Sequence, residues 1–499
     1  MKASTNSSRS TPATQIEAEK TVDERPSEST TIDELHSLFD AQKEAFRRNP
    51  YPSLKERLEA LEAIESMIRG HRKDVEAALE ADFFTHPPQI STAGELLLVD
   101  TRSKYVRKNL EKWMKPESRK IDHIAYGFST GWVMYQPVGV VGNMTPWNVP
   151  FLASLAPLVD ILAAGNRAII KPSEMTPVSS ATLKEMVAKA FSPDYVTVVL
   201  GDVDLAQEFA RMPWDHLLYT GNPGVGKLVM KAASDNLTPV TLELGGKCPL
   251  IIDEDSVNKR TVSDFLAAKV FKNGQTCIAP DYVFVPEGQR DAFISLCRRI
   301  MPSMFPSYTD HPQCVGIIND RHLDRLVLYL DDAKQKGANL VQLYSHDEQV
   351  NRQERKVPFT LVLEPTDEME VMKNEIFGPI APVKTYRRID EAISYVNSHE
   401  RPLALYFYTK DKHKGDRVLR ETYSGGACLN AIQEHVLHPS MPFGGIGNSG
   451  MGRYNGYEGF KTFSNQRSVY QKRWSLFAGA FYPPYGKKLD RVINFVLKE

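Results

Sequence analysis

The segment Asn273-Gly274-Gln275-Thr276-Cys277-Ile278-Ala279-Pro280 holds the chain's best candidate nucleophile. A lone cysteine is ordinarily a small buried hydrophobe. Here a Gly-rich polar approach on one side and Pro280 on the other argue against a packed helix interior. Such a site can expose a thiolate to an electropositive helix end. Upstream, Glu243-Leu244-Gly245-Gly246-Lys247 places a carboxylate at a strand end before a mobile glycine pair. Taken alone, Glu243 reads as a cap or a surface acid. In Thr145-Pro146-Trp147-Asn148-Val149-Pro150, prolines bracket Asn148 in a sharp turn. A fixed Asn amide is a good donor to an oxyanion, although Asn and Pro are also ordinary turn residues.

A fourth segment, Gly221-Asn222-Pro223-Gly224-Val225-Gly226-Lys227-Leu228, fits G-x-x-x-x-G-K. Leu228 stands where a phosphate-binding loop needs Ser or Thr to hold Mg²⁺, so the metal ligand is missing. A strand before it and a helix after it still present backbone N–H groups where phosphate is favoured, and an ordinary Gly-rich turn explains the segment about as well. No G-x-G-x-x-G fits a Rossmann fingerprint cleanly. His435 and His438 lack a third ligand at metal spacing, so no metal site is expected. Around Ser449 a nucleophile elbow fails, because Met451 occupies the second Gly position.

These segments sit on alternating elements. Candidate strands are Trp132–Gln136, Val138–Gly142, Ala168–Lys171, Val196–Leu200 and His216–Tyr219, separated by helical patterns such as Val178–Ala190 and Val203–Arg211. The alternation predicts βαβ units and a mostly parallel sheet, hence an α/β fold. A second alternating block runs from Val240 to about Tyr423. At the front, Ile32, Leu35 and Phe39 fall at helical spacing. Ser53 with Glu56 forms a capping box ahead of Leu54, Leu58, Leu61 and Ile68.

Of the 499 residues, 42% are hydrophobic, 25% charged and 9% aromatic, a profile that excludes a disordered, collagen-like or disulfide-stapled chain. The 61 Lys and Arg against 62 Asp and Glu provide no basic excess for nucleic acid or an anionic membrane. Cys248, Cys277, Cys297, Cys314 and Cys428 form no C-x-x-C. Residues 1–30, rich in Ser, Thr and Glu, are expected to be a disordered tail, without the apolar stretch of a secretory signal. The most apolar stretch, Val138 to Pro172, is too interrupted by Asn, Pro and Asp to span a membrane. A reducing cytoplasm is the expected compartment.

Taken together, the segments resemble the aldehyde dehydrogenase superfamily in order and spacing. The match rests on Pro146-Trp147-Asn148, Lys171-Pro172-Ser173-Glu174, the Gly221 loop, Glu243 to Lys247, Gly274 to Cys277, Glu375-Ile376-Phe377-Gly378-Pro379 and Pro442-Phe443-Gly444-Gly445, and it spans about residue 35 to the C-terminus. Within the family it is similar to the class 3 branch and, in that branch, to bacterial coniferyl-aldehyde dehydrogenases. That narrower likeness lies in Thr276 to Tyr282, Gly447 to Gly452 and Tyr482-Pro483-Pro484-Tyr485-Gly486.

The resemblance implies that Cys277 attacks the aldehyde carbon, that the Asn148 amide and the Cys277 backbone N–H hold the oxyanion, and that Glu243 activates the water hydrolysing the thioester. It implies a nicotinamide cofactor as hydride acceptor. Lys171 and Glu174 would contact the adenosine ribose, Glu375 the nicotinamide ribose, and Phe377 the nicotinamide. Gly221, Asn222 and Gly226 would lie at the pyrophosphate, with Trp147, Leu244 and Gly245 also in the cofactor site. This chain has Asn222-Pro223 where the family has Ser-Thr; Asn222 can still donate a hydrogen bond, whereas Pro223 removes an N–H. Glu174 beside a ribose hydroxyl favours NAD over NADP, although class 3 relatives often accept both.

The implied organisation is a Rossmann-type NAD(P)-binding domain over 31–242, interrupted by an oligomerisation hairpin near 121–137, then a catalytic domain over 243–435. Residues 436–499 would be an oligomerisation segment and tail, in a homodimer. The expected substrate is an aromatic aldehyde such as coniferaldehyde; medium-chain aliphatic aldehydes are the alternative. Three other readings are a non-redox cysteine hydrolase or thioesterase, a dehydrogenase passing its thioester to coenzyme A, and a non-enzymatic structural protein.

Overall fold

Three sheets organise the computed structural model, which describes residues 29–474, 479 and 481–497. The first has six strands in the order Gly450–Met451, Val240–Leu244, His216–Gly221, Val140–Met144, Arg167–Lys171 and Val196–Val198. All pair in parallel except Gly450–Met451, which runs antiparallel beside Val240–Leu244. Val140–Met144 is buried throughout, as a strand covered on both faces must be. On one face lies Pro150–Ala163, with Pro150 in its first turn and almost every residue buried. Leu54–Gly70 and Leu98–Met114 pack around that helix. The capping box at Ser53 and Glu56 is present.

The second sheet has seven strands in the order Asn339–Gln342, Thr360–Leu363, Ile380–Tyr386, Tyr282–Pro286, Pro249–Ile252, Ala404–Tyr408 and Gly426–Leu429. Only the Asn339–Gln342 edge is antiparallel. Its two faces carry separate apolar clusters, one around Phe265, Phe293 and Tyr406, the other around Phe284, Leu326 and Phe407.

The third sheet is small and antiparallel: Glu117–Arg119, Thr130–Pro137 and Ser464–Gln471. The hairpin expected near 121–137 thus begins earlier, at Glu117, and its outer partner comes from the C-terminal segment. Two further boundaries differ from the sequence reading. Glu243 and Leu244 still belong to the first sheet, because they continue its parallel ladder opposite Thr220 and Gly221, so the change of sheet falls after Leu244 rather than after 242. Residues 436–499 also do more than flank the fold: Gly450–Met451 joins the first sheet, and Tyr457–Thr462 packs on Pro150–Ala163. Residues 1–28 of the expected tail lie outside the described residues, and Thr30 is tied down by its N–H to the Leu200 carbonyl, 2.7 Å. No described helix is long and apolar enough to cross a membrane.

Candidate active site

The two large sheets meet across a cavity of about 1450 Å³, well above the size that holds one small ligand. Cys277 reaches it from the second unit. Helix Lys259–Val270 ends in a tight turn in which Lys272, Asn273 and Gly274 all take positive φ (48°, 57° and 74°). The glycine is required: a Cβ there would sit 2.4 Å from the Gly378 carbonyl oxygen. Asn273 donates to the Val315 carbonyl at 2.8 Å, and Gln275 donates to Gly316 O at 2.9 Å while accepting from the Ile318 N–H. This buried lattice ends at Cys277, which alone among the five cysteines is not fully buried.

Glu243 and Asn148 arrive from the first sheet. Glu243, 3% exposed, accepts the Cys277 thiol at 3.8 Å. Burial pushes the Glu243 carboxyl up to about 8, against the pull of the thiol hydrogen bond. Burial also holds the thiol well above its usual range, and the Glu243 and Glu375 carboxylates raise it further. The anticipated thiolate at an electropositive helix end is therefore corrected: the turn before Cys277 opens no helix, and the Glu243 carboxyl faces the sulfur. Asn148, also buried, donates through Nδ2 to the Gln275 carbonyl at 2.9 Å, which ties it to the nucleophile's own loop.

The remaining candidates extend along the same cavity. Lys171 is 3% exposed and holds Glu174 at 3.3 Å, with burial lowering its ammonium pKa. Gly221, Asn222 and Leu244 line the wall; Gly226 does not, but stands behind it, where a Cβ would meet Leu244 at 2.7 Å. The Asn222 Oδ1 caps helix Pro223–Ser234 by accepting the Val225 N–H at 2.9 Å. Pro223 sits at the first helical position, where its fixed φ suits the helix. Gly245 and Glu375 are back to back, since a Cβ on Gly245 would lie 2.1 Å from the carboxylate. Burial, and after it Asp281, pushes Glu375 up to about 8. Trp147 and Phe377 meet edge to face at 5.3 Å.

Sequence reasoning missed several residues here. His322 lines the cavity beside Trp147, and neither of its buried ring nitrogens has a partner. Burial, with Arg325 and Arg321 adding, pushes it down to about 4, so its ring is neutral at physiological pH. Thr220 Oγ1 is likewise unpartnered at the cavity wall. Such orphaned groups suit a long polar ligand. Arg325 donates to the Ile376 carbonyl at 2.8 Å and so holds the turn that carries Glu375 and Phe377. The spacing His322, Arg325 on helix Asp320–Gln335 was the available signal. Among the described residues no group of three potential metal ligands comes together.

The model of the aldehyde dehydrogenase family matches residues 7–469. A Pseudomonas aeruginosa protein named "Probable coniferyl aldehyde dehydrogenase" is 43% identical over 93% of this chain and 96% of its own length. The "Coniferyl aldehyde dehydrogenase" of another Pseudomonas strain is 39% identical over 93% and 96%. Among solved structures, the substrate-bound state of Staphylococcus aureus AldH superposes with a TM-score of 0.87 at 33% identity, covering 93% of this chain and 99% of that one.

Proposed function

The chain belongs to the aldehyde dehydrogenase family, and from that premise we propose that it oxidises an aromatic aldehyde of the coniferaldehyde type to its acid through a thioester on Cys277. The observation that carries this reading is the pairing of an accessible thiol with a buried carboxyl 3.8 Å away, beside a fixed amide, in one long cavity.

In this reading Glu243 accepts the Cys277 proton and the sulfur adds to the aldehyde carbon. The Asn148 Nδ2–H and the Cys277 N–H stabilise the oxyanion of the thiohemiacetal. A bound nicotinamide dinucleotide supplies the hydride acceptor that makes a thioester possible. Glu243 passes the proton it took from Cys277 to solvent and then takes a proton from water, which adds to the thioester carbon; the C–S bond breaks, Glu243 returns its proton to the sulfur and the acid leaves. Lys171 and Glu174 hold the adenosine ribose and Glu375 the nicotinamide ribose, with Phe377, Trp147, Leu244 and Gly245 shaping the site. Asn222 shapes the pyrophosphate loop through its cap, and Gly221 and Gly226 allow the close approach of neighbouring side chains. Glu174 favours NAD by repelling a 2′-phosphate; Glu174→Gln should raise the use of NADP relative to NAD.

An apolar mouth lined by Leu98, Phe271, Ile278, Ile432 and Phe443 suits an aromatic or aliphatic chain, and the names of the relatives favour the aromatic. Steady-state NADH formation on a panel of aldehydes, with and without coenzyme A, tests the proposal. Coniferaldehyde should lead and coenzyme A should change nothing. A tenfold preference for hexanal, about 1.4 kcal/mol, would overturn the substrate assignment. Hydrolysis of thioesters without any NAD(P)-linked oxidation would favour the cysteine hydrolase instead.

We also propose a homodimer formed through the small antiparallel sheet. The outer strand Ser464–Gln471 is largely exposed, and Tyr126, Phe128, Tyr470 and Trp474 present aromatic surface beside it. Five unpaired cysteines suit a reducing cytoplasm. Sedimentation velocity measures the dimer directly.

A further inference from the structure

Five residues before Cys277, Lys272 is wholly buried, and so is the carboxylate it pairs with, Glu95. Glu95 lies 177 residues earlier, on a single π-helical turn, Thr92–Leu97. Its second oxygen accepts the Leu152 N–H at 2.9 Å. That N–H opens helix Pro150–Ala163, whose N-cap Val149 has no side chain able to cap it. The Lys272 ammonium donates at the same time to the backbone carbonyl of Asn148, and stands 5.3 Å from the Phe83 ring centre. One ion pair therefore joins the π turn, the turn that carries Asn148 and the loop that carries Cys277.

The other anchors of this loop run elsewhere. Asn273 and the Gln275 amide reach the 315–318 segment, and Tyr308 donates to Asn273 at 2.7 Å. Among the described residues only two hydrogen bonds cross from the nucleophile's loop to Asn148: Lys272 to its carbonyl, and its own amide to Gln275 O. Lys272 also keeps a left-handed backbone that a β-carbon disfavours. Taking two ions out of water gains less than an apolar pair of the same volume would, so stability alone does not account for the pair.

We propose that Lys272 is a positioning residue for the reaction. By holding Glu95 and the Asn148 carbonyl together, it fixes the spacing between the Asn148 amide and the Cys277 sulfur, so that oxyanion donor and nucleophile meet the same carbonyl group. The inference rests on the roles given above to Asn148 and Cys277.

The test uses the full-length enzyme with saturating NAD and an aromatic aldehyde, following the pre-steady-state NADH burst. Lys272→Met/Glu95→Gln removes both charges at near-constant volume. The burst should slow by about 10²-fold, the scale of an ångström's misplacement, while the KM for NAD stays unchanged. Because Lys272 acts through Asn148, adding Asn148→Ala to this pair should cost little more than Asn148→Ala alone. A wild-type burst, or fully additive losses, would overturn the proposal. Where the double variant fails to fold, Glu95→Gln alone decides: a slowed burst at unchanged KM for NAD supports the clasp, and a wild-type burst refutes it. Normal turnover by Cys277→Ala or Asn148→Ala would defeat the underlying mechanism instead, whatever Lys272 does.

Discussion

At the scale of single residues the proposed chemistry rests on Cys277 and Glu243, which face each other at 3.8 Å. Cys277→Ala should abolish aldehyde oxidation while cofactor binding, followed by fluorescence quenching, stays near wild type. Alanine at Cys248, Cys297, Cys314 or Cys428, all buried, should cost packing energy of about 0.5–3 kcal/mol and leave turnover measurable. Because Glu243 also takes the Cys277 proton in this reading, Glu243→Gln should slow the NADH burst, which should recover at high pH where the thiolate forms unaided. Steady-state turnover should then fall by about 10²–10⁴-fold, with the acyl group visible by mass on the Cys277 peptide.

Glu243 also sets a pH dependence. Burial holds its carboxyl up to about 8, and a base works only when ionised, so kcat/KM of the free enzyme should climb as pH rises through about 8. That limb should be absent in Glu243→Gln. The same shift has a stability consequence of opposite sense. The fold favours the neutral acid, so this contribution is complete below the ordinary carboxyl range and is lost as pH rises through about 8. Thermal melts should therefore show Glu243→Gln gaining on the wild type at pH 9 and not at pH 5.

At the scale of elements, the left-handed turn before Cys277 is the most demanding piece of backbone in the site. Gly274 combines φ 74° with a carbonyl 2.4 Å from where a Cβ would go. Gly274→Ala should destabilise the protein by about 1–3 kcal/mol, measured by denaturant unfolding, and slow the NADH burst more than it weakens cofactor binding. Helix Val203–Arg211 and the strands around 140, 168 and 216 were legible in the sequence, because hydrophobic periodicity and turn residues report local geometry. Cys277, Glu243 and Asn148 were legible as motif residues. The turn's shape was not, because Lys272 carries no residue-type signal for positive φ, although Asn273 and Gly274 are residue types that favour it. Nor was the Lys272–Glu95 pair, since nothing local links positions so far apart. The change of sheet after Leu244 was missed because Glu243 and Leu244 are held in the first sheet by a pairing with Thr220 and Gly221 that no local pattern reports.

For the whole molecule, Cys277 stands on one unit while Glu243 and Asn148 stand on the other, so a ligand filling the cavity braces both. NAD at 100 times its dissociation constant should raise the unfolding free energy by about 2.7 kcal/mol, measured as a shift of the thermal transition. The Cys277→Ala variant should show the same shift.

The short strand Gly450–Met451 has a consequence during synthesis. It seals the edge of Val240–Leu244 and pairs Gly450 directly with Glu243. On a ribosome working at about 5–20 residues per second, that partner is made roughly 10–40 s after Glu243 has been joined to the chain. Throughout that interval the nascent first sheet keeps a bare edge, the kind of surface that invites pairing with a neighbouring chain or capture by a chaperone. Glu243 therefore gains this strand partner only well after Cys277, the residue it faces, has itself been joined to the chain.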